Sequence, residues 1–144
     1  MAKDILDIGG FSITKRLGTG ARSTIYLAVD KETNTEVALK RIIHQKPEDT
    51  RIFEQVETEF KVAQSVDHPY IRKCYKLKKI RSLFRVKELL MSMELFDGQT
   101  LEDGPALSLL DVLLIFRMVA TGLNAMHQKG FVHNQLLISK KGDQ

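Results

Sequence analysis

Two glycines one residue apart, Gly18 and Gly20, follow Leu17 and precede Ser23, Thr24 and Ile25, and a lysine, Lys40, closes an apolar run a short hairpin later. Glycines at this spacing let backbone N–H groups approach an anion with no Cβ in the way. An ammonium group beside them would add the charge-assisted contact that a phosphate favours. Taken alone, a Gly-x-Gly is more often a turn between strands than a phosphate cradle. Its weight comes from the order of the next three segments. Ile25 to Val29 reads as a strand, Asp30 to Thr35 as a polar turn, and Glu36 to Ile42 as the returning strand, which places Lys40 beside the loop.

The remaining elements can be read as the means of holding that lysine and that loop. Residues 1 to 10 read as a lead-in ending at Gly9-Gly10, and Phe11 to Thr14 opens the first strand. Gln45 to Thr50 supplies the proline and polar oxygens of a helix start, and Asp67-His68-Pro69 stops the helix after about Val66. Phe53, Val56, Phe60 and Ala63 form its apolar stripe, with Glu59 at the border. A carboxylate there either faces solvent, as Glu54 and Glu57 would, or pairs with Lys40. Two further strands fall between Tyr70 and Leu95, the second nearly continuous and apolar over Leu89 to Met93. A last helix spans Ser108 to His127. Leu109, Val112, Phe116, Val119, Leu123 and Met126 mark one face of it, and Leu110, Leu113, Leu114 and Ile115 widen that face.

This order resembles the N-terminal lobe of eukaryotic-type Ser/Thr protein kinases, and the resemblance continues to about Val132. The family's G-x-G-x-x-G-x-V loop is matched by Gly18, Gly20, Ser23 and Ile25, with serine in place of the third glycine. Val37-Ala38-Leu39-Lys40 matches V-A-I-K, which implies that Lys40 meets the α- and β-phosphates of ATP. The spacing from Glu59 to Pro69 matches that of the family's helix glutamate, so the resemblance selects Glu59 over Glu57 as the partner of Lys40. Met93 to Gly98 resembles the hinge between the lobes. That match implies Met93 as the gatekeeper, the backbones of Glu94 and Phe96 as contacts to the adenine edge, and Leu17, Ile25 and Ala38 as its apolar roof. The implied fold is α+β, with about five antiparallel strands and one helix in residues 1–95, then a hinge and a partial helical C-lobe in residues 96–144.

The catalytic loop is where the sequence leaves the family. Lys129 to Ser139 stands where an active kinase has V-H-R-D-x-K-P-x-N-I-L-I. Without a gap, His133-Asn134-Gln135 replaces His-Arg-Asp. With a gap, Asn134 to Ile138 matches the end of the motif and the aspartate is skipped. Both alignments lose the base, no Asp-Phe-Gly occurs in the chain, and a complete two-lobed kinase needs on the order of 250 residues. The expectation is a pseudokinase or truncated kinase with no catalytic or metal-binding residues. ATP binding would be weak or vestigial, and magnesium is not expected.

Composition fits a globular protein: 144 residues, 43% hydrophobic and 28% charged, with a net charge of +4. No uninterrupted apolar run reaches membrane-span length and no signal-peptide pattern opens the chain, so a cytoplasmic setting is expected. The single cysteine, Cys74, fits a reducing compartment and reads as core filler. The four histidines show no metal spacing with it. Arg72, Lys73, Lys76, Lys78, Lys79, Arg81, Arg85 and Lys87 form a basic segment with no acid among them. It could attract nucleic acid, an anionic membrane or an acidic protein, but it is best read as the solvated face of an edge hairpin. Nucleic acid is not the expected partner, since Tyr75 and Phe84 alone interleave with the charges. The helix of residues 108–127, apolar on most sides, is expected to drive self-association or to bind a protein partner.

Overall fold

A computed structural model describes residues 6–47, 49–96, 98, 101 and 103–132. The chain divides into two compact units, one of residues 1–64 and 72–96 and the other of residues 65–71 and 97–144. Residues 65–71, which a single cut after residue 95 assigns to the first part, therefore group with the second.

The first unit is a curled antiparallel sheet of six strands with one helix. The strands are β1 (Leu6–Ile8), β2 (Phe11–Thr19), β3 (Thr24–Asp30), β4 (Thr35–Ile43), β5 (Cys74–Ser82) and β6 (Arg85–Met93). Their order across the sheet is β1-β2-β3-β4-β6-β5, and the helix α1 (Asp49–Ser65) lies in sequence between β4 and β5. The sheet expected to have about five strands has six. The sixth is β1, in the stretch that the sequence pattern presents as a lead-in. Ile8 pairs with Phe11 across Gly9-Gly10, whose φ values of 58° and 91° are those of a two-residue hairpin turn that glycine adopts without steric cost.

Two apolar clusters lie on opposite faces of the sheet, because side chains alternate along each strand. On the helix side Ala38, Ile42, Leu89, Met91 and Met93 meet Phe53 and Val56 of α1, with Phe60 and Ala63 packed against them. That is the stripe read from the sequence. On the other side Phe11, Ile13, Ala28, Val37, Leu39 and Leu90 form the second cluster, and Ile8, Tyr26 and Ile80 border it. Curling brings the two ends of the sheet together over this second face. Lys78 Nζ donates to the Gly9 carbonyl at 2.7 Å, and Lys76 Nζ lies 2.8 Å from Asp30 Oδ2 and 2.5 Å from Glu32 Oε2. The Lys76 ammonium, a hydrogen-bond donor to Asp30, holds that carboxyl below its usual range. Two of the eight cations in the basic segment, Lys76 and Lys78, are therefore occupied in closing the sheet.

In the second unit the helix α2 (Leu109–Gln128) begins with a reciprocal capping box between Ser108 and Asp111. Gly122 is its buried residue. A Cβ added there would lie 3.6 Å from Ile71 and from the Tyr70 carbonyl, so the helix rests on the segment that follows α1. The expectation that no apolar stretch reaches span length is corrected at α2. This helix is long and apolar enough to cross a membrane by length and composition. The reason is that Asp111 and Arg117, its two charged residues of the Asp, Glu, Lys and Arg kind, interrupt the apolar run without much lowering its mean hydropathy. A core helix of a water-soluble fold passes the same test, and an arginine in mid-helix is costly in lipid.

Gly9 is the position where this sheet closure can be tested. A Cβ at Gly9 would sit 2.7 Å from Leu90 Cδ1 and 3.0 Å from Ile80 Cδ1, at a φ that disfavours any side chain. Gly9→Ala should destabilise the unit by roughly 1–3 kcal/mol in urea unfolding, and an unchanged midpoint would show that the turn does not bear on the sheet.

Candidate functional site

The loop between β2 and β3 is a tight connection of Gly20 to Ser23, closed by a 2.7 Å hydrogen bond from the Gly20 N–H to the Ser23 carbonyl. Gly18 pairs with Ile25 and Thr19 with Thr24, and a register shift between Arg16 and Gly18 leaves Leu17 as the extra residue of a bulge. An added Cβ at Gly18 would meet nothing within 4 Å. The backbone there is open to an incoming group, and neither Gly18 nor Gly20 takes a positive φ. Glycine at Gly18 leaves room for close approach, whereas a Cβ at Gly20 would lie 3.2 Å from Ser23 Oγ within the loop itself.

Lys40 lies on β4, beside the strand that leaves this loop. It pairs in register with Ile25 on β3 and Met91 on β6, while Ala38 pairs with Leu27 and Met93. Ile25, Ala38, Lys40 and Met93 consequently share the face that carries α1. From that helix Glu59 reaches back, and its Oε2 accepts from Lys40 Nζ at 2.8 Å. Glu57, the alternative, instead pairs with Lys79 at 2.7 Å. The ion pair fixes the direction of a long side chain whose three donors are not all consumed by one carboxylate.

A second tie runs from the tip of the loop. Arg22 Nη1 donates to Asp49 Oδ1 at 2.7 Å. Asp49, at the first turn of α1, also accepts from the backbone N–H groups of Gln45 and Lys46, each at 2.8 Å. Its side chain is 2% exposed. The two backbone donors, and after them the Arg22 charge, hold its carboxyl below the usual 3.8. Sequence reasoning identifies neither residue. Asp49 falls within a recognisable helix start, but nothing local points to Arg22.

The hinge residues are anchored by a third cation, which in the sequence is simply one of the basic segment. Arg72 Nε donates to the Glu94 carbonyl at 2.8 Å, and its guanidinium lies 5.1 Å from the centre of the Phe96 ring. The Glu94 N–H donates to the Lys73 carbonyl at 2.8 Å. One lone pair of the Glu94 carbonyl, a group expected to meet adenine, is thus already engaged, leaving the other. Met93 is buried, Leu17 and Phe96 are exposed, and Ser23 is half-buried.

Among the described residues no group of three or more His, Cys, Asp or Glu side chains could hold a metal ion. His133, Asn134 and Gln135, on which the reading of the catalytic loop depends, lie outside the described residues. Cys74 is buried, and burial pushes its thiol pKa up, so it is not primed as a nucleophile. A cavity of about 630 Å³ lies away from the loop, against the Asp30–Lys76–Glu32 cluster, whose polar groups are already paired with one another.

Because the Asp49 carboxyl titrates below its unfolded value, its contribution to stability is present above about pH 4. That contribution is lost as the pH falls through the lowered folded value. Unfolding midpoints followed from pH 6 to 2 should therefore drop less steeply in Asp49→Asn than in the wild type, and parallel curves would remove Asp49 from the account.

Comparison with known proteins matches this geometry to one family. The sequence profile described as "Protein kinase domain" matches residues 11–138. A probable myosin light chain kinase of Dictyostelium discoideum is 30% identical over 132 residues, covering 91% of this chain and 40% of the relative. A probable serine/threonine-protein kinase of the same organism is 28% identical, with 92% and 16% covered. The chain thus spans less than half the length of these relatives. The Mycobacterium tuberculosis PknI kinase domain superposes with a TM-score of 0.73 at 22% identity, covering 94% of this chain and 55% of the other.

Proposed function

The chain belongs to the protein kinase domain family, and we propose that it is a nucleotide-binding kinase domain which does not transfer phosphate by itself. The observation that carries this reading is the Lys40–Glu59 ion pair at 2.8 Å, set beside the strand that leaves the glycine loop. Kinases in general use ATP with magnesium, which supplies the phosphoryl group and neutralises its charge. In this chain Lys40 would hold the α- and β-phosphates beneath the loop of Gly18 and Gly20, whose backbone is open at Gly18. Ile25, Ala38 and Leu17 would cover the adenine, Met93 would close the back of the pocket, and the backbones of Glu94 and Phe96 would meet the adenine edge, with Ser23 at the end of the loop.

The absence of transfer rests on the sequence. Without a gap Gln135 falls where an acidic base is required, and with a gap that position is skipped. An amide side chain cannot accept the substrate proton near neutral pH. On this reading affinity for ATP is weak, and magnesium adds little to it. A cytoplasmic setting suits this reading and the reduced Cys74.

Calorimetric titration with ATP, with and without magnesium, tests it. Wild type should bind saturably at high micromolar to millimolar ATP, Lys40→Met should lose about tenfold or more in affinity, and neither should phosphorylate a generic substrate. No binding by either protein at millimolar ATP would overturn the nucleotide role.

A second reading is favoured by α2, where Leu109, Leu110, Leu113, Leu114, Phe116 and Met118 are all exposed. It makes residues 108–127 a self-association or protein-docking surface. Sedimentation velocity should then show concentration-dependent assembly that Leu110→Ser with Leu113→Ser abolishes without altering nucleotide affinity. A monodisperse monomer at high micromolar concentration would exclude self-assembly.

A further inference from the structure

The β5–β6 hairpin breaks two local rules at its tip. Ser82 pairs with Arg85 across the two-residue turn Leu83–Phe84, and Leu83 takes φ 55° while Phe84 does not take a positive value. That pattern belongs to a type II′ turn, whose first central position favours glycine. Leucine there is strained, and its side chain is 93% exposed beside a phenylalanine that is 97% exposed. Neither residue adds to the core. Strain and exposure together, with no gain to the fold, are expected where a surface has another role.

The charges around the tip give that role a chemistry. Arg81 and Arg85 flank it, Lys79 and Lys87 lie beyond them, and no acid occurs from Arg72 to Lys87. Lower in the hairpin the lysines are used internally: Lys76 by Asp30 and Glu32, Lys78 by the Gly9 carbonyl, and Lys79 by Glu57. Among the described residues, no side-chain partner engages Arg81, Arg85 or Lys87. The internal pairing therefore stops short of the apex, and three cations surround two solvated apolar side chains.

We propose that this tip docks on an anionic lipid bilayer, with Leu83 and Phe84 entering the boundary between headgroups and acyl chains and Arg81, Arg85 and Lys87 meeting headgroup phosphates. A convex two-residue apex offers far less area than a stable protein interface requires. Single-stranded nucleic acid needs successive aromatics along a groove, and this apex has one. A deformable interface that is apolar a few ångströms below an anionic surface fits both features at once. Each cation near such a surface contributes about fivefold in partitioning, and each inserted apolar side chain about tenfold.

The chain contains no tryptophan, so Phe84→Trp provides a single fluorescent reporter. With the full chain and vesicles of phosphatidylcholine containing one-quarter phosphatidylserine, the emission of the introduced indole should shift to the blue, and phosphatidylcholine alone should leave it unchanged. In vesicle co-sedimentation Leu83→Gly, which suits the turn, should keep or raise the thermal midpoint yet lower partitioning about tenfold. Arg81→Gln with Arg85→Gln should lower it about 25-fold, as should raising the salt. Equal partitioning to both vesicle types would overturn the proposal, and so would binding insensitive to Leu83→Gly and Phe84→Ser, which would assign it to another surface such as α2. Release by a single-stranded oligonucleotide, with Leu83→Gly binding as wild type does, would replace the lipid by nucleic acid.

Discussion

The structure depends on one ion pair, Lys40 with Glu59, that ties a central strand of the sheet to its helix. β4 lies between β3 and β6, and Val37, Ala38, Leu39 and Ile42 are all buried. Lys40 sits in that run with its side chain only 21% exposed. A partly buried ammonium group favours a partner, and Glu59, itself exposed, supplies one from α1. The pairing fixes more than a contact. It sets the rotation of α1 about its axis, because the same turn must present Phe53 and Val56 to the sheet and Glu59 to Lys40.

The loop and the helix are coupled a second time through Arg22 and Asp49. Asp49 organises the start of α1 by accepting two backbone N–H groups, and its remaining acceptor capacity is used on the loop tip. Whatever opens the loop must exchange that guanidinium contact for another. Phosphate is a natural competitor for an arginine, so a ligand at the loop and the position of the helix start are linked by one side chain. The Arg72 contact to the Glu94 carbonyl plays a corresponding part at the hinge, where a protein group already holds one of the lone pairs that adenine would use.

Charge is distributed along the β5–β6 hairpin by position. Near its base the lysines close the sheet against Asp30, Glu32 and the Gly9 carbonyl. Around its apex the cations have no such duty. The basic segment that looks uniform in the sequence is therefore two things: a set of internal struts and a charged collar around Leu83 and Phe84.

By itself the sequence determined the order of strands and helices from Phe11 onward, the stripe of α1 and the extent of α2 from Ser108, while the choice of Glu59 over Glu57 for Lys40 came through the family resemblance. These come from periodicity, capping chemistry and motif spacing, which are local or ordered along the chain. Even β1 was within reach, since Gly9-Gly10 between apolar residues is a hairpin signal. Tertiary structure alone decided that Arg22 meets Asp49, that Arg72 occupies the Glu94 carbonyl, and that Lys76 reaches Asp30. Each of these joins residues distant in sequence, and many surface cations satisfy the same local pattern. Only the curl of the sheet and the packing of α1 bring one particular cation within hydrogen-bonding distance of one particular oxygen.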